Sequence, residues 1–278
     1  MPEPGYTDRL LILADHWRLR PWPAAVGAAA ADLGAVLLPT LCVVCGCADH
    51  SLCVPCRALL RRSTARPYYA HEAAESLPEA LPVLAAGRYA GGLAQVLLAY
   101  KNHGHTDLAP VLRPVLAGVL HRAADDAGTR GLILVPVPGT ARALRRRGYS
   151  PLDLLLGTLW ARRLLPAQTT LAPLVVHSRP DWGAAAPGTR GAVVVPRSGG
   201  QKSLGKRGRR ANVYGTMTAG APGSLAGIRC LVVDDVLTTG ATIAEATRAL
   251  RAAGARVQAA AVIAATPAPA RDAGNTKG

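Results

Sequence analysis

The chain contains no phenylalanine, and aromatic residues make up only 4% of its 278 positions. Its core must therefore be built from Leu, Val, Ile and Ala, within an apolar content of 50%. Proteins that hold single strands by base stacking need a row of aromatic side chains, so the shortage argues against a stacking platform. The length and apolar content are enough for a full core, with one main domain and a smaller part beside it.

Acidic side chains are scarce as well. The sequence has 17 Asp and Glu residues against 32 Lys and Arg residues, which leaves a formal charge of +15. This surplus points to phosphates, nucleic acid or another anionic partner. The alternative is a soluble protein that is merely basic.

A long unbroken apolar run is also missing. The stretch 21–44 follows two arginines and has the position of a signal or anchor, but Asp32 interrupts it and Pro39 breaks it. Its middle is alanine and glycine rather than leucine, which does not suit a membrane span. We interpret residues 1–35 as an amino-terminal segment with a short amphipathic helix, and we expect a cytoplasmic protein.

The cysteines that are present follow a metal-binding pattern. Two CxxC pairs separated by seven residues lie in a module that we place at residues 36–62, with the thiols of Cys42, Cys45, Cys53 and Cys56. Each pair can present two thiolates to one tetrahedral ion, so the spacing predicts a structural zinc site. Disulfides or incidental cysteines are the alternative. Cys47 could replace a neighbouring ligand, and Cys230 reads as a core residue.

The rest of the chain alternates strand-length apolar runs with helical patterns. After a predicted linker at 63–82, this alternation runs from residue 83 to residue 266, with helices expected near 108–124, 151–164 and 241–253. It predicts an α/β domain with a parallel sheet covered on both faces. The tail 267–278 lacks apolar periodicity, and we expect it to be disordered.

The sequence VVDDVLTTGAT places two carboxylates, Asp234 and Asp235, at the end of an apolar strand. Ligands bind at the carboxyl ends of parallel strands, where these acids can accept hydrogen bonds from vicinal sugar hydroxyls. The following turn offers backbone N–H groups and hydroxyls to a phosphate at a helix N-terminus; it contains Thr238, Thr239, Gly240, Ala241 and Thr242. The pattern therefore predicts a ribose 5-phosphate site. An ordinary left-handed turn with a capping threonine is the alternative.

Residues 231–242 resemble the phosphoribosyl pyrophosphate (PRPP) signature of type I phosphoribosyltransferases. Further motifs follow in the order seen in the ComF family, also called ComF/GntX: Leu-Leu-Pro before a CxxC pair, Lys101 after an apolar helix, VPVP at 135–138, RRRGY at 145–149 and QKSLGKRGRRAN at 201–212. The resemblance covers most of residues 33–264. The last motif contains the family positions Gln201, Leu204, Arg209 and Asn212.

The resemblance implies a type I phosphoribosyltransferase-like domain with an amino-terminal zinc module, and a link to DNA uptake in natural competence. It implies that Asp234 and Asp235 hold the ribose and that residues 238–242 hold the 5-phosphate. The family often has Phe-Asn-Gln after the Arg-Gly of RRRGY, whereas this chain has Tyr-Ser-Pro at 149–151, and it lacks further cysteines of many relatives. Thr238 stands where 6-oxopurine enzymes have a general-base aspartate, which disfavours hypoxanthine or guanine salvage and is closer to orotate enzymes.

If the domain catalyses transfer, magnesium bridges the pyrophosphate and ribose oxygens, and cations stabilise the departing pyrophosphate. We assign Lys101, Arg142 and Arg147 to that side of the site, although an arginine run can also be a solvated face. The sequence offers no evident base for the incoming nucleophile.

The stretch 197–210 carries six Lys or Arg residues and no acid, which suits contact with a phosphate backbone or closure over PRPP; a mobile solubilising loop is the alternative. We place first a DNA-associated competence factor that binds PRPP and single-stranded DNA. An active phosphoribosyltransferase with an unknown acceptor and a PRPP-sensing regulator without catalysis are the alternatives. The sequence leaves the oligomeric state open.

Overall fold

A computed structural model describes residues 40–70, 74, 76–77, 81–102, 104–178 and 213–267. The helices are α1 (Val54–Ser63), α2 (Gly91–Asn102), α3 (Ala109–Ala127), α4 (Ala141–Arg147), α5 (Pro151–Ala161) and α6 (Ala241–Ala252), with a short 3-10 turn at Thr106–Leu108. The strands are β1 (Tyr68–Tyr69), β2 (Val83–Arg88), β3 (Leu132–Pro136), β4 (Thr169–Leu171), β5 (Val176–His177), β6 (Met217–Thr218), β7 (Arg229–Leu237) and β8 (Arg256–Ala265).

Six strands form one sheet in the order β1-β2-β8-β7-β3-β4. All neighbours pair in parallel except β1, which runs antiparallel to β2 at the edge. The central strands are apolar nearly throughout because both faces are covered, as expected for a parallel sheet. The predicted α/β fold, a mostly parallel sheet flanked by helices, is confirmed.

The two faces of the sheet belong to two apolar clusters. Helices α2, α3 and α5 pack on one face, and α6 packs on the other together with Val175, just before β5, and Met217 of β6. Within β7, Leu231 and Val233 join the first cluster, whereas Cys230 and Val232 join the second. Because side chains alternate along a strand, Asp234 lies on the α6 side and Asp235 on the α2 side.

Residues at the helix ends explain the turns beside the carboxyl edge of the sheet. Thr140 caps α4 by accepting a hydrogen bond from the backbone N–H of Ala143 at 3.2 Å, and Gly148 ends that helix with φ of 76°. Ser150 then caps α5, whose first residue is Pro151, a position where the missing N–H costs nothing. The chain therefore passes from β3 into two helices within a few residues.

The cysteine-rich segment packs directly on the sheet domain. Its buried thiols and Leu60 of α1 share an apolar cluster with Leu84 of β2 and Leu93 of α2. Gly87 allows this approach, because a Cβ at that position would lie 2.8 Å from Leu93 Cδ2 and 3.0 Å from Thr64 Cγ2. In the segment predicted as a linker, Tyr68 and Tyr69 form the edge strand β1.

Several details differ from the sequence-based expectations. The apolar run at 174–176 leads into β5, which pairs antiparallel with β6 in a separate two-stranded sheet. Helix α4 and strands β1, β4 and β6 were not predicted, since each is short and lacks a full hydrophobic period. The predicted helix in 1–35, the motif positions Gln201, Leu204, Arg209 and Asn212, and the tail from 268 onward lie outside the described residues. None of the helices in the described ranges has the length and apolar content to cross a membrane.

Candidate functional site

The turn between β7 and α6 is shaped by a glycine. Gly240 occupies the N-cap position of α6 with φ of 76°, a left-handed conformation that glycine adopts without strain. A Cβ on Gly240 would lie 2.8 Å from Leu77 Cγ and 2.9 Å from Ala74 Cβ. The backbone N–H of Ser76 also donates to Thr239 O at 3.2 Å. Ala74, Ser76 and Leu77 therefore contact the turn closely, and only glycine fits at position 240.

The same turn leaves donors at the start of α6. Gly240 provides no side-chain cap, and the nearest substitute is a long contact of 3.5 Å from the N–H of Ala241 to Thr239 Oγ1. Thr238 is exposed, and Thr239 and Thr242 are half-buried. A helix N-terminus with free N–H groups and nearby hydroxyls favours an anion.

The two carboxylates at the end of β7 are in different environments. Asp235 accepts from Lys101 Nζ, which lies 2.8 Å from its Oδ1 and 2.7 Å from its Oδ2. Asp234 Oδ1 instead accepts from the backbone N–H of Asp235 at 2.8 Å. Burial, followed by the adjacent Asp235 carboxylate, raises the pKa of Asp234 to about 8 from an ordinary value of 3.8. The pair thus combines a carboxyl group held by a lysine with one whose raised pKa favours the protonated form.

Lys101 connects the acids to the arginines of α4. It lies in the last turn of α2, and the next residue, Asn102, accepts from Arg146 Nη2 at 3.2 Å and from Arg147 Nη2 at 3.4 Å. The Nε atom of Arg147 is buried and has no hydrogen-bond partner within the described ranges. Arg142 is exposed at the start of α4. Lys101 therefore contacts Asp235, and Arg147 contacts Asn102, the residue after Lys101.

Tyr149 takes part in the packing between α2 and α5. Its hydroxyl donates to Tyr100 O at 2.8 Å, and the two rings meet edge to face with centroids 6.5 Å apart. The Tyr100 hydroxyl donates in turn to Pro151 O at 2.9 Å. The Tyr-Ser-Pro sequence thus holds the basic turn against the end of α2, and Ser150 serves as a helix cap.

A second candidate site is the cluster of Cys42, Cys45, Cys53 and Cys56, whose sulfur atoms all lie within 4.8 Å of one another. The Sγ atoms of Cys45 and Cys53 are 3.6 Å apart. A tetrahedron with Zn–S bonds of about 2.3 Å has S–S edges of roughly 3.8 Å, so these spacings suit a metal ion. Cys47 is exposed and outside this group of four, and Cys230 is a core residue with no exposed surface.

The environment of Cys42 also suits a metal ligand. Burial raises the pKa of its thiol, but backbone hydrogen bonds at Cys53, Cys45 and Val44 outweigh burial and lower the pKa to about 6. A thiolate is the form that binds metal. The four-cysteine cluster can therefore hold a metal ion.

Comparison with known proteins adds to this geometry. Residues 200–275, which include β7, α6 and β8, match the family model of the phosphoribosyl transferase domain. The fold thus includes a phosphoribosyltransferase domain. The chain is also 42% identical over 66 residues to an orotate phosphoribosyltransferase from Nocardioides sp., a match that covers 24% of this chain and 36% of the relative. The matched part is therefore about a third of that relative's length, and both findings support the phosphoribosyltransferase superfamily.

Three features of this domain escaped the sequence analysis. The first is the packing of residues 74–77 on Gly240, which has no signal in the sequence. The second is a buried pair on α6: Glu245, 3% exposed, accepts from Arg248 Nε at 2.8 Å and from the N–H of Met217 at 3.0 Å. The spacing of Glu245 and Arg248 at i and i+3 could have indicated the pair. The third is His177, whose ring lies 3.2 Å from Pro138 O.

Proposed function

We propose that this chain binds PRPP together with magnesium at the junction of β7 and α6. The observation that carries the proposal is the pair of carboxylates at the end of β7, followed within one turn by a glycine-capped helix start. The match of residues 200–275 to the phosphoribosyl transferase domain supports this ligand class. The proposal includes transfer of the phosphoribosyl group from PRPP to an acceptor.

In this proposal the ribose hydroxyls donate to Asp234 and Asp235. Both oxygens of Asp235 face Lys101, so the ribose shares this carboxylate with the ammonium group or displaces it. Burial raises the pKa of Asp234, so the two acids offer the sugar carboxyl groups in different environments. Two hydroxyls, each able to donate and accept, match such a pair.

The 5-phosphate lies at the start of α6, against residues 238–242. The N–H groups of the first helical turn and the hydroxyls of Thr238, Thr239 and Thr242 are its donors. Gly240 lets the backbone turn toward the phosphate at a place already crowded by Leu77 and Ala74. A side chain at this position would disturb the turn and therefore the phosphate site.

The pyrophosphate lies toward Lys101 and the basic turn of α4. Arg147 offers a buried Nε donor without a partner in the described part of the chain, an arrangement that an anion would satisfy. We also assign Arg142, which is exposed in the first turn of α4, to the pyrophosphate side. Bound magnesium supplies charge neutralisation between the phosphate oxygens.

The four-cysteine cluster is proposed as a structural zinc site. Its four thiols suit zinc, and three of them are buried against the sheet domain. Zinc there would hold the loops before α1 in place, and no step of the transfer passes through it.

The PRPP proposal is tested by calorimetry with PRPP and magnesium on Asp234→Asn, Asp235→Asn and the double variant. We expect each lost charge-assisted hydrogen bond to cost about 1.5 to 3 kcal/mol of binding free energy, and the double variant to lose detectable binding. Asp153→Asn, at an exposed position in the first turn of α5, is the matched control and should bind as the wild type does. Wild-type affinity in the double variant would show that the pocket is assigned wrongly.

Association with single-stranded DNA is a second candidate function, in line with the resemblance to the ComF family and its link to competence. It is favoured by α4, where Arg142, Arg145 and Arg146 are exposed and none has an acidic partner within the described ranges. The basic stretch 197–210 would add to this surface.

The DNA proposal is tested by a salt series with single-stranded DNA. Each contacted phosphate should contribute a slope of about −0.7 in log affinity against log salt. Arg142→Ala with Arg145→Ala should weaken binding and flatten the slope by about 1.4, whereas Arg251→Ala at the far end of α6 should change neither. Absence of binding by the wild type at low salt would remove this function and leave the PRPP proposal intact.

A further inference from the structure

His177 is held in place from two directions. It lies in β5, directly opposite Met217 of β6 in the antiparallel register. Met217 is fixed to α6 at both of its backbone groups, since its N–H donates to Glu245 Oε1 at 3.0 Å and its carbonyl accepts from Arg248 Nη2 at 2.8 Å. Val175, two residues before His177, is buried in the apolar cluster on the α6 side of the sheet. These contacts connect the backbone of His177 to α6, the helix that starts at Gly240.

The ring of His177 is held as well. Its Nε2 atom lies 3.2 Å from the backbone oxygen of Pro138. A carbonyl oxygen only accepts, so Nε2 must carry the hydrogen of this bond. In the neutral ring the proton is then on Nε2, and Nδ1 is a free acceptor. Nδ1 has no hydrogen-bond partner within the described ranges.

Pro138 places this ring beside the carboxylates. Pro136, the last residue of β3, lies opposite Val233 in the parallel register, and the N–H of Val137 donates to Val233 O at 2.9 Å. The chain at Pro138 therefore passes alongside the point where β7 reaches Asp234. Asp234 also lies on the α6 side of the sheet, where Val175 and Met217 pack. His177 and Asp234 consequently flank the same end of the crevice.

We propose that His177 is the acid–base residue of this pocket and takes the proton of the nucleophile that attacks the ribose. The inference rests on the proposed PRPP function. As the bond from the acceptor nitrogen to C1 forms, the bond from C1 to pyrophosphate breaks, and pyrophosphate leaves with the electron pair. The proton on the acceptor nitrogen passes to Nδ1 of His177 and afterwards to solvent.

The charged side chains near His177 are already engaged in other contacts, so the imidazole ring is the available base. Glu245 is buried and already bonded by Arg248 and by the Met217 N–H, so its carboxylate is committed. Arg248 also stacks over the Tyr214 ring at 5.5 Å. Asp234 faces the ribose in the proposed complex. The imidazole keeps an unused acceptor atom, Nδ1, among the described residues.

The first test places His177 relative to bound PRPP. Manganese replaces magnesium in the PRPP complex, and paramagnetic broadening of histidine ring signals is recorded by NMR, with the His177 signal assigned from the spectrum of His177→Gln. We expect strong broadening of His177 and none of His121, which lies on α3 and contacts Leu164 O. An unbroadened His177 in a sample shown by calorimetry to bind PRPP overturns the inference alone. Failure of the wild type to bind PRPP overturns the proposed function with it.

The second test separates chemistry from binding. His177→Gln keeps an amide N–H that can reach Pro138 O but has no base, so PRPP affinity should stay within about twofold while pyrophosphate release falls about 100-fold or more. Orotate is the acceptor probe, with water as the competing nucleophile. Equal pyrophosphate release in both proteins, or none from the wild type at saturating PRPP, overturns the catalytic role.

Discussion

The four thiols of the cysteine cluster come from the single stretch 42–56, whereas the groups around the carboxylates at the end of β7 come from α2, α4 and β7. Lys101 and Asp235, which share an ion pair, are 134 residues apart in the chain. A local cluster can form as soon as its loop closes, whereas a dispersed pocket requires the whole sheet to be in place. Substitutions in the cysteine cluster should therefore affect metal binding by the four thiols. Substitutions around the carboxylates should affect the packing of several helices and strands.

The largest effect is expected from breaking the local cluster. Structural zinc contributes about 10 to 16 kcal/mol of apparent binding free energy in small zinc modules, so Cys53→Ser should lose the ion and the order of residues 40–63. Metal analysis should find one zinc per wild-type chain and none in the variant. Cys230→Ser, in the core but far from the cluster, is the matched control. Full zinc content in Cys53→Ser would show that the four thiols do not form the site.

The next effect concerns the tightest backbone position of the pocket. Gly240→Ala imposes a left-handed conformation on alanine and drives its Cβ into Leu77 and Ala74, which should cost about 2 to 4 kcal/mol of unfolding free energy. Gly157→Ala, in the middle of α5 with open space around its Cα, should instead stabilise the chain by about 1 kcal/mol. Urea denaturation measures both. Equal stability of the two variants would mean that the contact with residues 74–77 is not made.

A pH-dependent effect is expected at Asp234. The pKa of its carboxyl is about 8 in the folded chain and near 3.8 when unfolded, so the folded state holds the extra proton between these values. Stability contributed by Asp234 is fully present below about pH 3.8 and is lost as pH rises through about 8. Asp234→Asn has no such loss and should be more stable than the wild type by on the order of 2 kcal/mol at pH 9, with the difference vanishing near pH 4.

Denaturation of both proteins across that pH range checks this expectation. Asp126→Asn is an informative comparison, because hydrogen bonds from Tyr69 lead the effects that lower the pKa of Asp126. Asp126→Asn should therefore be less stable than the wild type at neutral pH, and this difference of opposite sign should be lost as the pH falls below 3.8. A pH-independent difference between wild type and Asp234→Asn would contradict the protonated state of Asp234.

The smallest effect is expected at Lys101. Lys101→Met removes the ion pair with a largely buried Asp235, which should cost about 1 kcal/mol of stability. PRPP affinity should fall more than stability does, because the proposed pyrophosphate contact is lost as well. Lys101→Arg keeps the charge and should recover most of both. Loss of stability without any change in PRPP affinity would restrict Lys101 to a structural role.

Much of the pocket could be predicted from the sequence because its central part is continuous. The apolar strand, the two acids, the threonines and the glycine lie within residues 231–242, and their order predicts a strand, a turn and a helix start. The four-cysteine cluster is equally local, since the spacing of two CxxC pairs already limits the ligand geometry. The assignment of ribose and phosphate to these residues stays a prediction.

Other parts could not be predicted, for different physical reasons. Helix α4 is only seven residues long and has no buried face, so it leaves no hydrophobic period in the sequence. Strands β5 and β6 have two residues each and owe their position to the pair Glu245 and Arg248 on α6. The contact of His177 with Pro138 joins strand β5 to the loop after β3, and the two residues are 39 positions apart, a distance at which no sequence pattern operates.

The amino-acid sequence by itself determined the class of fold, the position of the acidic strand end and the cysteine spacing, because these depend on neighbours along the chain and on the period of apolar residues. Tertiary structure alone decided that Lys101 holds Asp235, that residues 74–77 close on Gly240, and that the His177 ring lies beside the end of β3. Those contacts arise when helices and loops cross the carboxyl edge of the sheet. Their distances follow from the packing of the two apolar faces, which no local stretch of sequence encodes.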